Sequence, residues 1–231
     1  MTIFRPKPTT APPPGISTPV RWHYDRSELI ADGVVHILGV ASGLVAATAL
    51  VVLAGVFGTV SDIVAASIYA TGLLAMLGLS AAYNLWPVSR AKWVLRRFDH
   101  SAIYLLIAST YTPVIITQMS DSLLARVLLG AVWCIAIAGV YIKLRLPGRY
   151  DRLAVALYLA LGWSGLVAYD AIVSSVPTLA LWFIVAGGAL YTLGVVFHAW
   201  QRLRFQNAIW HSFVLLGAAC HYTAVVDLVL T

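Results

Sequence analysis

Charge is what this chain lacks most. Only 10% of its 231 residues are Asp, Glu, Lys or Arg, against roughly 25% in an ordinary soluble domain. With 61% of residues hydrophobic, there is more apolar surface than one soluble domain of this length can hide, so lipid must be part of the solvent. Cysteine is scarce too. Cys134 and Cys220 are the two in the chain, both inside apolar runs and without CxxC spacing. That argues against a disulfide framework or a cysteine metal module, and both read as small core residues. The N-terminal segment has no short apolar core followed by a small-residue cleavage site, which argues against a cleaved signal peptide. No internal repeat is visible, and no connection is long enough to hold a second domain.

The first residues differ in kind from the rest. Thr9 to Ala11 lead into Pro12-Pro13-Pro14-Gly15, a stretch that cannot be helical and has no apolar period. Residues 1–27 are therefore expected to form a disordered cytoplasmic tail, and 28–231 a transmembrane domain. Seven apolar runs follow, at 30–57, 63–86, 99–118, 122–142, 153–174, 178–199 and 208–230. Each suits a bilayer core that needs about 20 apolar residues per helix. Gly58 to Asp62, Pro87, Ser120-Asp121, Pro147-Gly148, Ser174 to Pro177 and Gln201 to Gln206 mark the breaks. The expected fold is all-α, a polytopic membrane protein built as a seven-transmembrane-helix bundle.

Lys and Arg set the orientation. Arg5, Lys7, Arg21 and Arg26 precede the first span. Arg90, Lys92, Arg96 and Arg97 lie between the second and third, and Lys143, Arg145, Arg149 and Arg152 between the fourth and fifth. Arg202 and Arg204 lie between the sixth and seventh, so 14 of the 15 basic residues share one side and only Arg126 lies near the other. The positive-inside rule makes that side cytoplasmic, which puts the N-terminus inside and the C-terminus outside. Trp22, Trp86, Trp93, Trp200 and Trp210 lie near the same ends, as an interfacial aromatic belt should. The net charge of +6 thus reads as topology and attraction to anionic headgroups, with no nucleic-acid partner.

Ionisable groups inside spans are costly and usually mark a working site. Glu28, Asp32 and His36 recur every four residues, so they form one stripe on the first helix. Ser80 and Asn84 end the second, Asp99 and His100 begin the third, and His198 ends the sixth. Asn207 and His211 open the seventh, again four apart. Residues of five helices converge at one depth on the cytoplasmic side. Plainer roles compete with function at several positions. Glu28 and Asp99 could each cap a helix start. His100 should face the interface, and His221 should be a packed, hydrogen-bonded histidine. Asp62, Asp121, Asp170 and Asp227 look like solvated anchors at the outer side.

The run from Phe98 to Pro113 (FDHSAIYLLIASTYTP) closely resembles the third-helix signature of the hemolysin III family. That family is the bacterial branch of the progestin and adiponectin-receptor (PAQR) superfamily. Ser80 to Asn84 resembles its second-helix motif, Asn207 to His211 through Cys220-His221 its seventh, and the Glu28–Asp32–His36 stripe fits its first. The likeness covers about residues 26–230. It implies a zinc site at the cytoplasmic side of the bundle, held in the receptor branch by one second-helix histidine and a seventh-helix His-x3-His pair. Ser80 and Asp99 match a serine and an aspartate near a bound water, and His211 matches the second histidine of the pair. Asn84 and Asn207 stand at the other two ligand positions, where asparagine is a poor zinc ligand, and His36, His198 or Asp32 nearby could supply substitute ligands.

Three functions follow from the resemblance and this departure. The leading expectation is a non-catalytic sensor or homeostasis protein of the bacterial inner membrane, with membrane lipids or a lipid-like molecule as partner. A metal-dependent lipid amide or ester hydrolase of ceramidase type is the alternative, with Ser80 and Asp99 positioning or deprotonating water. Proton or ion conductance through Glu28, Asp32 and His36, which with His198 make up the polar network, is the third.

Overall fold

The computed structural model describes residues 24–146 and 150–231. The expected tail, but for its last four residues, lies outside them, as does the Pro147-Gly148 break. Helix α1 runs from Arg26 to Phe57. Its start is a reciprocal cap: the Glu28 N–H donates to the Asp25 carboxylate and the Asp25 N–H donates to Glu28, each at 2.9 Å. The same device, between Thr59 and Asp62, opens α2 (Val60–Leu85) directly after Gly58. Helix α3 spans Arg90–Gln118 and α4 Leu123–Arg145. Helix α5 occupies Asp151–Ser175, α6 Thr178–Ala199 and α7 Gln206–Leu230. All seven are long and apolar enough to cross a membrane, and among the described residues there is no strand.

Two helices depart from expectation. Helix α3 starts nine residues earlier than the apolar run, because Ser89 caps it by accepting from the Lys92 N–H. The basic stretch after it is made of good helix formers, and it buries Trp93 and Arg96 on one side. Asp99 is therefore ten residues inside a helix and caps nothing, and Trp93 belongs to the interior, not to an aromatic belt. Helix α5 is broken: α-helix to Gly162, a 3₁₀ turn over Ser164–Ala168, then a last α-helical stretch from Tyr169.

Helices α1 to α4 pack in sequence order, and α7 lies against α1, α3 and α6. Leu50, Tyr69, Leu73, Met76, Leu106 and Val225 form a core joining α1, α2, α3 and α7. Small residues allow close approach, as between membrane helices generally. A Cβ on Gly139 of α4 would sit 2.5–2.7 Å from the Tyr104 ring of α3. Large apolar side chains point outward around the bundle, Val45 at 71% exposure and Trp182 at 70% among them, the inverse of a soluble protein and suited to a lipid surround.

The readings of Cys134 and Asp227 change. Cys134 is exposed on the apolar surface instead of lying in the core, and Cys220 is partly buried. Asp227 is no solvated anchor: its carboxylate accepts from the Ala180 N–H at 3.1 Å and so caps α6 from the neighbouring α7. Asp62 is occupied in the α2 cap.

Candidate functional site

The end of the bundle that carries the basic α2–α3, α4–α5 and α6–α7 connections collects the polar residues. Glu28, Asp32 and His36, one stripe on α1, are 5%, 6% and 6% exposed, and Ser80 of α2 is buried with them. Glu28 does more than cap α1. Its second oxygen accepts from the Phe205 N–H at 3.1 Å, tying α1 to the α6–α7 connection where Phe205 takes a left-handed conformation (φ 58°).

Asp32 is the hub. One carboxylate oxygen accepts a 2.6 Å hydrogen bond from His211 Nδ1 and lies 3.7 Å from His36 Nε2. The two imidazole rings are 4.4 Å apart, centre to centre. The other oxygen accepts from the Asn207 amide at 3.5 Å. Asn207 Nδ2 also lies 3.3 Å from Asn84 Oδ1, and the Asn84 amide donates to the Ser80 carbonyl at 3.0 Å. A polar chain thus runs from α1 through α7 to α2, and across from it the Asp99 carboxylate of α3 faces Ser80.

A second cluster lies beside the first. Asp151, the first residue of α5, accepts from Arg96 Nη2 at 2.6 Å and from Lys143 Nζ at 2.7 Å. His100 Nδ1 is 3.8 Å from the same carboxylate, so His100 faces the bundle interior and not the interface. These contacts lock α3, α4 and α5 together, and sequence reasoning misses them. By position along the chain Arg96 and Lys143 read as topology determinants, and nothing in their spacing pairs them with Asp151. Lys92 plays a different part again. Its ammonium donates to the Asn84 and Trp86 carbonyls, which closes the C-terminal end of α2.

Both clusters border a cavity of about 2370 Å³, larger than the roughly 300–1,000 Å³ of most small-molecule sites. Its polar end is lined by Asp32, Ser80, Asn84, Asp99, His100 and His211. From there it runs between α3, α5 and α6 along Ile107, Val114, Leu159 and Val195. Leu166, Val173, Trp182 and Val185 both line it and are exposed, so it reaches the apolar surface between α5 and α6. His198 is on the cavity wall with its ring 5.0 Å from Trp210, outside the Asp32 hub. His221 is packed as expected, its Nε2–H donating to the Ile184 carbonyl at 3.2 Å.

The sequence family described as haemolysin-III related matches residues 26–222. This chain belongs to that family. It is 33% identical over 198 residues to a hemolysin-3 homolog of Bacillus subtilis, covering 86% of this chain and 92% of the relative. Hemolysin-3 of Bacillus cereus is 32% identical over 203 residues, 88% of this chain and 92% of that one. The human monocyte to macrophage differentiation factor is 30% identical over 168 residues, covering 70% and 69%. This reach beyond the hemolysin III proteins agrees with the PAQR resemblance.

The zinc ligand set that the resemblance implies does not fit the residues present. Asn84 and Asn207 hold two of its three positions, and their amides are engaged with each other, with the Ser80 carbonyl and with Asp32. A carboxamide offers only a weak oxygen donor where zinc takes imidazole. His211 instead bonds an acid, Asp32, that neither spacing nor composition paired with a histidine 179 positions away, while Ser80 and Asp99 face each other beside it.

Proposed function

We propose that this protein is a non-catalytic lipid sensor of the bacterial inner membrane, oriented with its basic end to the cytoplasm. One observation carries the reading: a single cavity joins the polar hub to the apolar surface between α5 and α6. An amphiphile would enter there from the bilayer with its chain along Ile107, Val114 and Leu159. Its headgroup would then meet Ser80, Asn84, Asp99 and His211. Zinc on the ligand positions of the resemblance forms no part of this reading.

The test is extraction of lipid from protein purified in mild detergent, with identification by mass spectrometry. A specific lipid should co-purify with the unmodified chain and fall several-fold in Ile107→Trp, which fills the cavity midway. Equal lipid in both proteins, or none above the detergent blank, would overturn the proposal.

A hydrolase is the second reading, and the Asp32–His211 pair is the observation that favours it. A carboxylate bonded to one imidazole nitrogen orients the ring and supports the other nitrogen as a general base. The sequence alone offers no such acid–histidine pair for Ser80 or for a water. Turnover of an amide or ester lipid by the purified protein, lost in Asp99→Ala and in Asp32→Ala, would replace the sensor with the enzyme.

A further inference from the structure

Where Asn84 and Asn207 fail as ligands, a different set of side chains has the right chemistry. We propose that Asp32, His36 and His211 form a metal site of their own for a divalent cation of the zinc class, set between α1 and α7. One donor atom from each of the three lies within 4.8 Å of the others. Asp32 and His36 share a face of α1 because they are four residues apart, and α7 brings His211 against them. Ligands of a tetrahedral site with bonds of about 2.0–2.2 Å stand about 3.3–3.6 Å apart. The observed 2.6 and 3.7 Å from the Asp32 oxygen straddle that range, so small side-chain adjustments would admit the ion.

A second observation points the same way. His36 Nε2 is buried and has no hydrogen-bond partner among the described residues, on a side chain 6% exposed. Such a nitrogen is costly to leave unsatisfied, and it faces the Asp32 carboxylate. Two imidazoles and one carboxylate select a borderline cation such as zinc or cobalt over magnesium or calcium, which prefer all-oxygen sites. The asparagines then acquire a role as supports, since the Asn207 amide holds the free oxygen of Asp32, as outer partners of metal ligands do. Three protein ligands leave a coordination position open, and Asp32 and His211 both lie on the cavity wall.

The inference stands apart from the lipid proposal, because metal content and bound lipid are measured separately. Full-length protein in detergent would be equilibrated with zinc, desalted without chelator, and assayed by elemental mass spectrometry. About one zinc per chain is expected. Losing a support residue costs a metal site 10–100-fold, so His36→Ala and Asp32→Ala should each weaken binding by roughly tenfold or more. His36 is no ligand in the set of the resemblance, so zinc retained by a folded, monodisperse His36→Ala protein would overturn the proposal, as would an unmodified chain that takes up no zinc. If His36→Ala fails to fold, cobalt(II) added to the unmodified protein decides. Intense visible bands of a four-coordinate nitrogen-ligated ion support the site, and the pale spectrum of hydrated cobalt overturns it.

Discussion

At the scale of single residues, buried acids at the basic end each satisfy several partners, and their loss should be felt accordingly. Glu28 accepts from the Asp25 and Phe205 backbone N–H groups. Truncation to alanine leaves both donors short, and one unsatisfied buried polar group costs about 1–3 kcal/mol. Glu28→Ala should therefore lower the apparent Tm in detergent by several degrees, and Glu28→Gln, which keeps one acceptor oxygen, by less. A Glu28→Ala protein as stable as the parent would show that the tie between α1 and the α6–α7 connection contributes nothing. The Glu28–Asp32–His36 stripe is legible in the sequence because helical spacing fixes which residues share a face. What each residue touches is not. The Asp32 partner lies 179 positions away, and the Asp151 partner Arg96 lies 55 away.

At the scale of elements, the break in α5 is the feature hydropathy could not show, since the run 153–174 reads as one span despite Ser164 and Asp170. A broken helix inside a bilayer exposes backbone groups that lipid cannot satisfy, so protein must do so. Tyr111 of α3 fills that role: its hydroxyl donates to the Gly162 carbonyl at 2.9 Å and accepts from the Gly165 N–H at 2.7 Å. Trp163, at the break, donates its indole N–H to Thr192 of α6 at 3.1 Å. Tyr111→Phe removes both backbone partners and should cost about 1–3 kcal/mol. The expected signature is faster hydrogen exchange confined to residues 161–168, next to the cavity wall at Gly162, Gly165 and Leu166. Exchange that rises uniformly along the chain would argue against this local role. The early start of α3 teaches the same point in reverse. Its first turns are polar, so a hydropathy window clips them, yet Ser89 and the run of helix formers after it extend the helix and place Asp99 in its interior.

At the scale of the whole molecule, the asymmetry of charge predicts an orientation. The basic connections should face the cytoplasm and the C-terminus after Thr231 the opposite side. Alkaline phosphatase fused after Thr231 should be active, and the same reporter placed in the α2–α3 connection inactive. The reverse pattern would invert the assignment and move the polar hub to the outer half of the membrane.

The sequence by itself determined the seven spans, the depth at which polar residues gather and the family to which the chain belongs. The first two depend on composition and spacing along one dimension, which hydropathy and helical periodicity read directly, and the family rests on the likeness of particular runs such as Phe98 to Pro113. Only the tertiary structure decided that Asp32 bonds His211, that Asn84 and Asn207 are joined by their amides, that Asp151 binds Arg96 and Lys143, and that a cavity opens between α5 and α6. The reason is rotational. A helix can turn about its axis without changing its hydropathy, and the turn that sets its neighbours is fixed by packing, as where Gly139 admits the Tyr104 ring.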